Sequence, residues 1–229
     1  MNLSQAAFRA ATTTVVVFAA SIAAVGAAPQ ALAANTIHIA VIGDSYTTGS
    51  GEGGTGPRSW PELAWKLLAK RGLDVAADVA AEGGAGYGQP GNRGSVFEDL
   101  TVRAVHRNDD LVVFFGSRND QPVDPHRFPG MAAGTFKLAR FTAPDARFLV
   151  IGPPWPTATP PAAVLAIRDN LRAQAAANGA TFVDPIAEGW FVGRPDLIGH
   201  DGVHPTDAGH AYMAERIAPL IHSQLTIRV

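Results

Sequence analysis

The chain has no cysteine in its 229 residues. A disulfide framework, a thiolate zinc site and a cysteine nucleophile are excluded together. Charge is also scarce: 17% of residues are Asp, Glu, Lys or Arg, against about 25% in ordinary globular chains. The 18 basic and 20 acidic residues nearly cancel to −2, and no run of Lys or Arg occurs. A nucleic-acid partner or an anionic membrane surface is therefore unsupported. Disorder is excluded too, because it needs low hydrophobicity with high net charge, and 47% of this chain is hydrophobic. What is abundant is glycine and proline, 24 and 17 residues. They follow no three-residue period, which removes a collagen-like reading and leaves shaped loops on a packed scaffold.

Residues 1–33 read as a secretory signal peptide. Arg9 supplies the positive n-region, residues 11–28 are apolar or small, and Ala31-Leu32-Ala33 fits a small-x-small cleavage site. The rival is a single membrane anchor, since the stretch approaches spanning length. No basic stop-transfer cluster follows it, so export with cleavage is expected. The product would be secreted or held at the cell envelope, with no stable membrane insertion. Residues 34–229 are expected to form one domain, large enough to bury a core without staples.

From residue 36 onward short apolar runs alternate with helical stretches. Strands are expected over Ile37–Ile42 (ending at Gly43), Leu73–Val79, Leu111–Phe115, Arg147–Ile151 and Thr181–Val183. Ser59-Trp60-Pro61-Glu62 has the form of a capping box, and Leu63, Leu67 and Leu68 continue one helical face to Gly72. Further helices are expected over 94–107, over 162–178, and at the C-terminus, where Met213, Ile217, Leu220 and Ile221 share a face. Continuous apolar strands separated by helices indicate a parallel sheet covered on both sides. That is a three-layer α/β/α domain of about five strands in the order 2-1-3-4-5. Such sheets place ligands at the carboxyl ends of their strands.

The polar constellations fall at those ends. Gly43-Asp44-Ser45-Tyr46 follows the first strand; its serine hydroxyl needs a base to become a nucleophile. Asp201-Gly202-Val203-His204-Pro205 supplies one. A carboxylate three residues before an imidazole can take the Nδ1–H and leave Nε2 free. Glu82-Gly83-Gly84-Ala85-Gly86 would expose backbone N–H groups after the second strand, and Asn119 of Gly116-Ser117-Arg118-Asn119-Asp120 offers an amide after the third. With the Ser45 N–H these would make an oxyanion hole.

Gly-Asp-Ser, a glycine turn, Asn-Asp and Asp-x-x-His-Pro, in that order, resemble the SGNH (GDSL) hydrolase family across the whole of residues 34–229. The resemblance implies a flavodoxin-like sheet and a serine esterase; with the export segment that enzyme would be secreted, and no cofactor or metal is expected. It makes Ser45 the nucleophile and first oxyanion donor, His204 the base and Asp201 its orienting acid. Gly84 is the backbone oxyanion donor it implies, with Gly83 and Gly86 as alternatives, and Asn119 is the side-chain donor. Two departures stand out. The asparagine often found before the second-block glycine is missing, and Gly116-Ser117-Arg118-Asn119 either replaces a glycine with Ser117 or carries one extra residue.

Other readings compete. Gly49-Ser50-Gly51-Glu52-Gly53-Gly54 fits the dinucleotide fingerprint G-x-G-x-x-G, but it starts six residues after the strand-ending Gly43. Asp44 reads as a brace for the serine turn. His38 reads as a strand residue, and His106, His126, His200, His210 and His222 as surface or capping residues. The substrate expected is a small-molecule or glycan ester with a short acyl group. Trp155 in the proline-rich loop 152–161 and Trp190 in Glu188–Phe191 are the expected walls. A longer-chain lipase, or a catalytically degenerate domain that binds glycans, is the alternative.

Overall fold

The computed structural model describes residues 36–226, so the signal-peptide expectation for residues 1–33 lies outside it. Five strands alternate with helices: β1 (Ile37–Gly43), α1 (Ser45–Thr48), α2 (Trp60–Ala69), β2 (Val75–Ala81), α3 (Phe97–Ala104), β3 (Leu111–Phe115), α4 (Phe128–Thr142), β4 (Arg147–Ile151), α5 (Ala162–Ala177), β5 (Thr181–Val183) and α6 (Asp207–Thr226). The sheet is parallel throughout, in the order β2-β1-β3-β4-β5, as the alternation of runs predicts.

Strand side chains alternate between two faces, and each face has its own core. Ala40, Ile42, Val112, Phe114, Phe148 and Val150 pack beneath α3, α4 and α5. Ile39, Val41, Leu111, Val113, Phe115, Leu149 and Ile151 pack beneath α2 and α6. The five residues of β3 are all fully buried, which is why that run reads as continuous rather than alternating. β2 lies at an edge and is half-exposed, and its weaker pattern puts it two residues later than expected.

α2 begins at the expected Ser59, but the serine side chain makes no cap bond; Trp60, Pro61, Ala64 and Leu68 form its buried face. α3 covers only part of 94–107. α4 is not among the helices expected above, because Pro129, Gly130 and Gly134 weaken its helical signal. The stripe Phe128, Ala132, Phe136 and Ala139 is buried at helical spacing, and that packing outweighs propensity.

Candidate active site

β1 runs into α1 through Gly43 and Asp44. A side chain at Gly43 would place its Cβ 2.2 Å from Thr47 Oγ1, so glycine is needed for the chain to fold back here. Asp44 then caps α1, its Oδ1 accepting the Tyr46 N–H at 2.8 Å. This puts Ser45 in the first turn, with its N–H lacking an acceptor among the described residues.

The loop before α6 brings its residues to the same place. His204 Nε2 lies 3.0 Å from Ser45 Oγ, and His204 Nδ1 lies 2.5 Å from Asp201 Oδ2. The carboxylate contact puts the ring proton on Nδ1 and leaves Nε2 to accept the serine proton. Asp201 Oδ1 also accepts the N–H groups of Val203 and His204 at 2.8 and 2.9 Å. Burial works against the Asp201 charge, but the bonds from the His204 ring and from these N–H groups outweigh it and hold the carboxyl at about 2. Tyr46 ties the two loops together: its hydroxyl donates to Val203 O at 2.5 Å.

The glycine run 49–54 is the second tie. Glu52 Oε2 accepts the His200 N–H at 2.9 Å, and the Gly54 N–H donates to Asp207 Oδ1 at 2.8 Å. Gly53 and Gly54 press directly on Asp207 and His210, where a pyrophosphate would have no room. The fingerprint is therefore a brace between the serine turn and the Asp201–His204 loop. His210 is a capping residue rather than a surface one: it is fully buried between α2 and α6, and its Nδ1 accepts the Trp60 N–H at the start of α2 at 3.2 Å.

Of the three candidate glycines, Gly86 is removed as a free donor, since its N–H goes to Gln89 O at 2.8 Å. The N–H groups of Gly83 and Gly84 have no acceptor among the described residues. A Cβ on Gly83 would lie 3.9 Å from Ser45 Cβ, which sets this turn beside the serine. Asn119 also comes to the site, but both amide hydrogens are engaged, at 2.8 Å with Ala85 O and 3.2 Å with Asp44 Oδ2. Burial, opposed by the Tyr46 N–H bond, raises Asp44 to about 7. Gly116 takes φ +121° and a Cβ there would meet Asp44 Oδ2 at 2.8 Å, so it is the glycine this loop requires. Ser117 beside it is buried, with its hydroxyl accepting the Asn119 N–H at 2.9 Å.

The two tryptophans part company. Trp155 is half-buried on the rim, under Arg118. Trp190 is a correction: it is 1% exposed and packs on Phe115, with its indole N–H on Glu188. It belongs to the core and lines no substrate wall. The motifs give Tyr46, Glu52 and Arg118 no role, and Asp120 enters only as the second residue of the Asn-Asp motif. Asp120 accepts the N–H groups of Tyr87, Gly88 and Gln89 and so shapes the loop after Gly86. Their only local signal is position, next to a serine, in a glycine run or beside an asparagine. Among the described residues no group of three or more His, Asp or Glu is placed to hold a metal, and no helix is long and apolar enough to cross a membrane.

TesA superposes on this chain with a TM-score of 0.67 at 24% identity, covering 82% of this chain and 99% of TesA. A family two carbohydrate esterase from Clostridium thermocellum gives 0.65 at 20% identity, over 82% of this chain and 64% of the other. An extracellular lipase from Streptomyces rimosus gives 0.58 at 18% identity, over 82% and 100%. These are likenesses of fold. In sequence, a GDSL lipase of Mycobacterium tuberculosis is 63% identical over 190 residues, 82% of either chain. The model of the GDSL-like lipase/acylhydrolase family matches residues 41–212, a span that begins in β1 and ends in α6 and so takes in both loops of the serine–histidine contact. The chain belongs to that family of hydrolases.

Proposed function

We propose that this hydrolase is an exported esterase that cleaves short-chain or carbohydrate-borne carboxylic esters through an acyl-enzyme on Ser45. The observation that carries the reading is the unbroken line from Ser45 Oγ through His204 to Asp201, with contacts of 3.0 and 2.5 Å. Ser45 Oγ attacks the ester carbonyl as His204 Nε2 takes its proton, and the imidazolium then protonates the departing alkoxide. Water repeats the sequence on the acyl-enzyme and releases the acid. Asp201, ionised down to about pH 2, orients the ring and stabilises its cationic form.

Negative charge on the carbonyl oxygen would be met by the N–H groups of Ser45 and of Gly84, with Gly83 its neighbour in the same turn. An oxyanion is a stronger acceptor than the neutral Ala85 carbonyl, which supports a switch of the Asn119 amide hydrogen bond from that carbonyl to the oxyanion. A long-chain lipase is the second reading, supported by the name of the Mycobacterium tuberculosis relative.

The test is hydrolysis of p-nitrophenyl esters from C2 to C16 and of acetylated xylan, with Ser45→Ala as control. Maximal kcat/KM at C2 to C6, lost by orders of magnitude in Ser45→Ala, is expected. A maximum at C12 or beyond with activation at an oil–water interface selects the lipase. Undiminished turnover in Ser45→Ala removes the mechanism.

A further inference from the structure

One cation beside the site is only weakly compensated: Arg118 feels the buried Asp44 carboxyl and reaches the Tyr46 phenol, but forms no ion pair with a described residue. Arg118 opens the 3-10 turn after β3, one residue before Asn119. Its guanidinium lies over the Trp155 ring, 4.1 Å from the centroid. Its Nη1 is buried without an acceptor. Arg58, Arg168, Arg172, Arg194 and Arg216 each face a carboxylate instead. The two acids near Arg118 cannot supply the missing charge cleanly. Asp44 and Asp120 are both buried, are pushed towards the neutral form by that burial, and spend their oxygens on N–H groups. A weakly compensated cation this close to the protein interior is costly.

Its position relates it to the reaction. Ser45 follows β1, Arg118 follows β3 and Trp155 follows β4, and these three strands are neighbours in that order. Arg118 also reaches the Tyr46 phenol, next to the nucleophile, although burial holds that phenol in its neutral form. The pair Arg118–Trp155 thus stands on the β4 side of Ser45, away from the Gly83–Gly84 turn that follows β2. Its side chain is only partly buried, so an anion has access to it. The indole face holds the guanidinium plane by a cation–π contact, which fixes its orientation and leaves its accessible edge to meet a carboxylate or phosphate.

We propose that Arg118, presented by Trp155, is a subsite for an anionic group of the ester, a carboxylate or a phosphate borne close to the scissile bond. The inference rests on the esterase reading of Ser45 and gives that site a substrate class. The anion has two sources, which are tested in separate arms. For an acyl-side carboxylate, p-nitrophenyl hemisuccinate is compared with neutral p-nitrophenyl pentanoate. For an alcohol-side phosphate, dibutyrylglycerol 3-phosphate is compared with tributyrin.

The expected result is a kcat/KM ratio of anionic to neutral ester above one in one arm. Arg118→Leu should lower that ratio by about ten- to a hundredfold, the range of a charged hydrogen bond, and Arg118→Lys should restore part of it. Inorganic phosphate should also inhibit wild-type p-nitrophenyl butyrate hydrolysis competitively, an effect that needs no variant to fold. Ratios of one or less in both arms, an unchanged ratio in Arg118→Leu, or no competition by phosphate overturns the subsite. Neutral-ester turnover that survives Ser45→Ala overturns the esterase reading instead, so the two failures are told apart.

Discussion

His210 couples the stability of this fold to pH. It has no exposed surface, and its Nδ1 accepts the Trp60 N–H at 3.2 Å. The ring proton is therefore on Nε2, which is buried without a partner. Burial, opposed by the Asp207 charge, holds its pKa at about 4, below its ordinary 6.5. The unfolded chain takes up this proton below about pH 6.5 and the folded chain only below about 4. The stabilisation is thus complete above 6.5 and is lost as pH falls to 4, at about 1.4 kcal/mol per unit and about 3 kcal/mol in all. Asp44 has the opposite sign. Its carboxyl titrates at about 7 in the fold and near 3.8 outside it, so its contribution is complete below 3.8 and falls by about 4 kcal/mol as pH rises to 7. Between pH 4 and 6.5 the two nearly cancel. Only a difference measurement exposes either one. His210→Asn keeps an acceptor for the Trp60 N–H and removes the titration. In urea unfolding followed by tryptophan fluorescence, the stability gap between wild type and variant should narrow by about 3 kcal/mol from pH 7 to pH 4. A gap that does not change with pH would refute the reasoning.

Glu52→Ala releases the His200 N–H and should lower kcat on p-nitrophenyl acetate by about ten- to a hundredfold through misplacement of His204, with little change in KM; unchanged kcat would show the loop needs no such brace. Asp201→Asn should lower kcat by about 10⁴ by fixing the wrong ring tautomer, and a loss below tenfold at pH 7 would deny Asp201 its orienting role. Gly54→Ala forces a side chain into φ +71° with its Cβ 1.9 Å from His210 Cδ2, and should cost roughly 3 kcal/mol or more; a melting temperature equal to that of wild type would contradict this packing.

The sheet was legible because its signal is local. A strand buried on both faces must be apolar at every position, so Leu111–Phe115 and Arg147–Ile151 show themselves without reference to the rest of the chain, and the intervening helices make the strands parallel. Ser45, Asp201 and His204 were legible for a related reason: each sits in a short segment whose neighbours are fixed by turn geometry and by the three-residue reach from carboxylate to imidazole. What the tertiary structure decided are questions of partnership across long separations. Gly86 and Gly84 are equivalent in sequence, yet one N–H is used by Gln89 and the other has no acceptor among the described residues. Trp155 and Trp190 both follow strands, and packing on Phe115 draws only Trp190 into the core. The glycine run 49–54 looks like a phosphate loop until residues about 150 positions away, His200 and Asp207, occupy it. Periodicity records which side of an element is buried; whether a given N–H, ring or cation finds a partner depends on segments that only the folded chain brings within about 3 Å.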